Sequence, residues 1–251
     1  MEPEARKLLL SIVACLDLTS LEGSETGREI GSLCGRALRP GEGLPHAAAV
    51  CVLPRLVPLA RRRLAGTEIR VAAAAGAFPD GTAPPDERVA EITGAIQAGA
   101  DEIDTVLDHR ALLGGRESIA RAGLAASRRA CGGRLMKVIL ETGAFPSEDQ
   151  VRSAVRVAFE EGADFVKSST GKAAPGVTVS SAAAMMQAVQ EIEVETGREV
   201  GVKLSGGIRT AEQALGYARL FQGILGGWPT PARFRIGASS LLDELVRPLV
   251  G

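Results

Sequence analysis

Aromatic residues are scarce: Phe, Trp and Tyr make up 3% of the 251 residues, with one tryptophan and one tyrosine. A core without them has to be built mainly from Ala, Val, Leu and Ile, and an apolar fraction of 45% is enough to build one. A charge excess of either sign is also missing. The net charge is −1, and no basic stripe interleaves with aromatics, which argues against a nucleic-acid surface. The densest cationic cluster, Arg61-Arg62-Arg63, closes a predicted helix, where the dipole favours cations. Histidine is limited to His46 and His109, in no HxxxH or HxH pattern, and Cys15, Cys34, Cys51 and Cys131 form no CxxC pair. That spacing argues against a zinc site and predicts reduced thiols in a cytosolic protein. No run approaches the ~18 apolar residues of a membrane span. Arg6-Lys7 followed by Leu8 to Ala14 and Cys15 has the outline of a lipidated leader. Glu2 and Glu4 oppose that reading, and cleavage before Cys15 would remove a predicted strand.

Short apolar runs alternate with amphipathic stretches along the whole chain. A leading helix is predicted over 3–12, then a strand at Ala14-Cys15-Leu16 followed by Asp17. Further strands are predicted at Ala48 to Leu53, Arg70 to Ala75, Glu102 to Leu107, Leu135 to Leu140, Asp164 to Lys167, Val200 to Leu204 and Arg233 to Ile236. Continuous apolar runs such as AAVCVL suit strands buried on both faces. Helices are predicted between them, over 25–38, 54–65, 84–98, 116–131, from Ser147, over 180–195 and over 210–221. Ser239 and Ser240 open a last one, and Thr210-Ala211-Glu212-Gln213 has capping-box form. Strands separated by single helices imply parallel βαβ units. Eight of them in a chain of about 250 residues predict one α/β domain, a (β/α)8 TIM barrel with a short extra N-terminal helix. An open doubly wound sheet is the competing topology.

In such a barrel, chemistry is carried at the C-terminal ends of the strands. The polar residues predicted there are Asp17, Cys51, Asp104, Lys137, Lys167 and Lys203. A strand lysine ordinarily snorkels to water or pairs with a carboxylate. Three lysines converging on one mouth suggest more: each cation depresses the pKa of the others, and a neutral amine attacks a carbonyl to form a Schiff base. Alternation places Glu102, Asp104 and Val106 on one strand face, and Asp104 is either a proton relay or an ion-pair partner. Cys51 reads more simply as a small buried hydrophobe than as a nucleophile. Ser205-Gly206-Gly207 and Gly237-Ala238-Ser239-Ser240 follow the last two strands and lead into helices. These are the loops from which barrels often build a phosphate site, with tight βα turns as the plainer explanation. Gly171 and Lys172 could add a donor and a positive charge.

These segments resemble the deoxyribose-phosphate aldolase family along nearly the whole chain. Asp164-Phe165-Val166-Lys167-Ser168-Ser169-Thr170-Gly171-Lys172 is similar to the family's Schiff-base motif. Val202 to Arg209 is similar to its second-lysine segment, Phe234 to Leu242 to its phosphate loop, and Gly99 to Asp104 to its relay strand. Leu16 to Thr19 and Val50 to Val52 match less specifically. The resemblance implies that Lys167 forms an imine with acetaldehyde, that Lys203 is the cation lowering its pKa, and that Asp104 joins a water-assisted proton relay. The enamine would attack glyceraldehyde 3-phosphate to give 2-deoxyribose 5-phosphate, reversibly. Gly206, Gly207, Gly237, Ser239 and Ser240 would hold the phosphate, and Asp17, Cys51, Gly171 and Lys172 would line the substrate site. No metal or organic cofactor is implied, because the imine is the electron sink. Members are often dimers, but no segment here marks an interface.

The chain departs from the family at two points. Some members end in a tyrosine that assists proton transfer, whereas this chain ends Leu249-Val250-Gly251 and its sole tyrosine is Tyr217, so slow enamine formation is expected. The loop Gly76 to Gly81 lacks an asparagine many members carry before Phe78, which leaves aldehyde preference open. The alternatives are an aldolase with another donor or an unphosphorylated acceptor, a non-catalytic sugar-phosphate-binding barrel, and a metal-dependent aldolase or isomerase.

Overall fold

Parallel strands buried on both faces need cover on both sides, and this chain provides it by closing the sheet on itself. The computed structural model describes residues 2–250. Its strands are β1 (Leu16–Ser20), β2 (Ala49–Val52), β3 (Arg70–Ala74), β4 (Glu102–Val106), β5 (Leu135–Ile139), β6 (Phe165–Lys167), β7 (Gly201–Ser205) and β8 (Phe234–Ala238). They pair in parallel in chain order, and β8 returns to β1 to close the barrel. Around it lie α1 (Pro3–Ala14), α2 (Gly27–Leu38), α3 (Val57–Arg63), α4 (Pro85–Gln97), α5 (His109–Leu113), α6 (Glu117–Cys131), α7 (Glu148–Glu160), α8 (Val179–Thr196), α9 (Ala211–Leu225) and α10 (Leu241–Val250). The fold is the expected (β/α)8 barrel with an added N-terminal helix. The Thr210 capping box is present, and Thr26 and Thr178 form two more.

Some boundaries differ from expectation. Leu8, Leu9, Ile12 and Val13 bury one face of α1, which carries the helix through Ala14. The first strand therefore starts at Leu16, and Asp17 lies inside it rather than beyond its end. The short α5, capped by Asp108 on Ala111 N, was not foreseen. The last helix starts at Leu241, so Ser239 and Ser240 stay in the loop. No helix among the described residues is long and apolar enough to cross a membrane.

The apolar core lies between the sheet and the helices, with Val50, Val71, Ile103, Val138, Val166, Val202 and Ile236 turned outward. Inside the barrel the packing is asymmetric. On β2 and β3 the interior residues Ala49, Cys51, Ala72 and Ala74 are small and cluster with Leu21 and Phe78. The long side chains of Lys137, Lys167, Lys203 and Arg235 come from β5 to β8. Small residues on one wall leave room for long ones on the other, so the interior is filled without aromatics. Phe165 is the exception: a Cβ at Gly201 would sit 2.3 Å from its ring, which explains the glycine.

Candidate active site

Seven ionisable side chains meet inside the barrel, and none is more than 4% exposed. Burying so many charges is tolerable only if each is paired and hydrogen-bonded. Asp104 accepts from Lys137 Nζ at 2.8 Å, from Lys203 Nζ at 2.7 Å and from Lys167 Nζ at 3.0 Å. Asp17 accepts from Arg235 at 2.6 Å and lies 2.6 Å from Lys203 Nζ. Glu102 takes Lys137 at 2.5 Å and Arg235 at 3.1 Å. The registers Asp104↔Lys137 and Lys167↔Lys203 set these side chains side by side on neighbouring strands.

The carboxylates change the electrostatics expected from three lysines. Burial alone would lower the pKa of Lys203, but Asp104 and Asp17 outweigh it and hold the ammonium above the usual lysine range. Lys137 is likewise raised, by Asp104, Glu102 and Asp17 against burial. Mutual depression is therefore corrected for these two: interleaved acids stabilise their charge. Burial pushes Asp104 and Asp17 up, yet the surrounding cations win and keep both carboxyls below the usual range. Burial, with Asp104 beside it, pushes the Cys51 thiol up to about 11. Its Sγ donates to Asp104 at 3.7 Å, so Cys51 is a protonated wall residue.

Above this charged floor opens a cleft of about 290 Å³. Lys167, at the end of β6, lines it; Lys137 and Lys203 do not. Of the other expected site residues, Gly171, Lys172, Gly206, Gly207, Gly237, Ser239 and Ser240 also line it. Asp17, Cys51, Asp104 and Lys203 do not: all are fully buried in or beside the floor. Asp17 is occupied by Arg235 and Lys203, because it stands within β1.

The loops that line the cleft differ in their free donors. Gly206 and Gly207 have φ of 92° and 88°, a backbone that favours glycine. The N–H groups of Gly207, Ser239 and Ser240 make no hydrogen bond to another described residue, and the latter two precede α10. Such a rim suits an anion. In the neighbouring loop after β6, Gly171 N donates to Ser169 Oγ at 3.0 Å and Lys172 N to Thr170 Oγ1 at 3.1 Å. The donor expected from Gly171 is thus already used, while the Lys172 amine reaches Glu22 at 2.9 Å across the mouth.

Arg235 and Glu102 were not assigned roles from sequence, although Arg235 stands in a β-strand run on the same alternation as Gly237. Thr19, Leu21, Glu22, Ile208 and Arg209 also line the cleft. Tyr217 lies on α9 and donates to Val177 O at 3.2 Å, outside the cleft lining. Among the described residues no three His, Cys, Asp or Glu side chains are grouped to hold a metal ion.

Comparisons with known proteins bear on the family and the fold. Residues 11–244 match the model of the DeoC/LacD family of aldolases. A chain from Coccidioides immitis, provisionally assigned as a deoxyribose-phosphate aldolase, is 33% identical with a TM-score of 0.79, over 94% of this chain and 86% of that one. One from Toxoplasma gondii, with the same provisional assignment, is 25% identical with a TM-score of 0.88, over 98% and 96%. The tetrameric deoxyribose phosphate aldolase of Aeropyrum pernix shares the fold at 23% identity and a TM-score of 0.71, over 98% and 97%.

Proposed function

This chain belongs to the DeoC/LacD aldolase family, and within it we propose a class I aldolase that reversibly cleaves 2-deoxy-D-ribose 5-phosphate to acetaldehyde and D-glyceraldehyde 3-phosphate. One observation carries the reading: of three barrel lysines, only Lys167 lines the cleft, and it shares that cleft with an anion-suited rim of free N–H groups. An amine and a phosphate site in one cavity match an aldehyde with a phosphate at its far end.

The Lys167 amine adds its lone pair to C1 of the open-chain sugar, and loss of water leaves an iminium. The C3 hydroxyl then loses its proton and the C2–C3 bond breaks. Its electron pair moves into the iminium to form an enamine, and C3 leaves as the aldehyde of glyceraldehyde 3-phosphate. Protonation of C2 and hydrolysis of the iminium release acetaldehyde and restore the amine. Asp104 and Lys203, both held charged by their neighbours, lie beneath the cleft and join it through the Lys167–Asp104 hydrogen bond. A water admitted beside Lys167 would carry these protons, with Asp104 as acceptor and Lys203 as donor. The rim and Lys172 bind the phosphate. Leu21 lines the cleft and is backed by Phe78 and the small residues of β2 and β3, an apolar cluster suited to a two-carbon donor.

The test is release of acetaldehyde from 2-deoxyribose 5-phosphate, assayed beside 2-deoxyribose without phosphate. Turnover of the phosphorylated sugar, with the other at least about tenfold poorer in kcat/KM, is expected from the rim. Equal use of both would favour an unphosphorylated substrate, and use of neither a binding barrel.

A further inference from the structure

Glu141 lies just past the end of β5, 4% exposed, with φ 59° and ψ 60°. A non-glycine residue in the left-handed region costs ~1 kcal/mol or more and persists where its surroundings hold it there. The carboxylate makes no salt bridge among the described residues, unlike those of the barrel floor. Its partners are all on the segment that follows Lys167. Ser169 Oγ donates to it at 2.6 Å, Thr170 N donates at 3.2 Å, and Thr170 Oγ1 donates as well.

A hydroxyl has one proton to give, and both of these are given to Glu141. That turns their lone pairs toward the chain, where Ser169 Oγ accepts from Gly171 N and Thr170 Oγ1 from Lys172 N. One buried anion thus sets the direction of two hydroxyls, and they in turn set the backbone of Gly171 and Lys172, which line the cleft. Charge-assisted bonds to an acceptor that cannot donate make this arrangement one-directional.

We propose that Glu141 is a positioning residue for the acceptor side of the reaction: through Ser169 and Thr170 it holds the Gly171-Lys172 wall against which the phosphorylated aldehyde binds. The proposal rests on the function inferred above. Lys167 is not among its partners, so imine formation is separable from its role.

Glu141→Gln keeps the size and introduces a donor facing the hydroxyls. In this variant the Gly171 and Lys172 amides should lose hydrogen-exchange protection. The KM for glyceraldehyde 3-phosphate should rise about tenfold, on the scale of a lost charged hydrogen bond. Borohydride trapping of acetaldehyde on Lys167 should stay within about twofold of wild type, the spread expected of groups without shared partners. Glu141→Asp, which keeps the acceptor, should recover part of the KM. Unchanged exchange at the two amides overturns the proposal, as does a parallel loss of trapping and acceptor affinity. If Glu141→Gln does not fold, Ser169→Ala should expose the Gly171 amide alone, and exchange of both or neither contradicts the link. If the wild-type protein forms no imine, the functional reading fails instead. Affinity for inorganic phosphate, by calorimetry, then replaces KM: weaker binding in Glu141→Gln supports the positioning role and equal binding overturns it.

Discussion

The barrel floor and the cleft rim are both polar, and they are polar in opposite ways. In the floor, three carboxylates and four cations form ion pairs with one another at distances of 2.5 to 3.6 Å. In the rim, Gly207, Ser239 and Ser240 present N–H groups with no partner among the described residues. A closed network stores its electrostatics internally, whereas an open one is completed by a ligand. Variants of the floor should therefore cost stability, and variants of the rim should cost affinity. Lys167 stands where the two meet.

The largest effect should come at that junction. Lys167→Met should lower turnover by about a thousandfold or more, as loss of a covalent nucleophile does. Asp104 keeps Lys137 and Lys203, so the melting temperature should change little. A large loss of stability would show Lys167 acting in the floor's pairing alone and not at a junction with the cleft. Next comes Arg235→Met, which leaves Asp17 and Glu102 each short of a cation and should destabilise the fold by ~3–5 kcal/mol in urea titration. A stable variant with weakened phosphate binding would contradict the division. Gly207→Ala should do the reverse. A Cβ there meets nothing within 4 Å of the protein and projects beside the cleft, at a φ of 88°. Its KM for 2-deoxyribose 5-phosphate should rise about tenfold, with ~1–2 kcal/mol of backbone strain; an unchanged KM would take Gly207 out of the rim.

The smallest effect lies in pH dependence and concerns the floor. Asp17 and Asp104 have folded pKa values below their unfolded ones. Their contribution is complete above the ordinary carboxylate range, about pH 4, and is lost as pH falls through the lowered values. Lys137 and Lys203 are raised, so theirs is complete below about pH 10 and is lost as pH rises through the folded values. Urea midpoints should thus show no loss from these four groups between about pH 5 and 9, with declines on either flank. A fall within that window that disappears in Lys203→Met would show a floor less tightly paired than described.

The barrel was legible from strand periodicity, because buried parallel strands carry unbroken apolar runs. The rim was legible as glycine and serine pairs at the last two strand ends. What was not legible depended on details periodicity does not carry. The helix α1 extends to Ala14 because its apolar face continues to Val13, and this shift moves Asp17 from the mouth into the floor. Arg235 could have been found by the same rule that singled out the lysines, a charge inside an apolar strand. Its partners Asp17 and Glu102 lie 218 and 133 residues away in the chain, and only barrel closure joins them. Glu141 had no local signal: its partners Ser169 and Thr170 lie 28 and 29 residues further along the chain.

The most direct measurement is borohydride reduction in the presence of 2-deoxyribose 5-phosphate, followed by peptide mass mapping. Imine chemistry at the junction of floor and rim predicts a reduced adduct on the peptide containing Lys167, absent in Lys167→Met. An adduct on Lys137 or Lys203, or none on folded protein at saturating substrate, would contradict it.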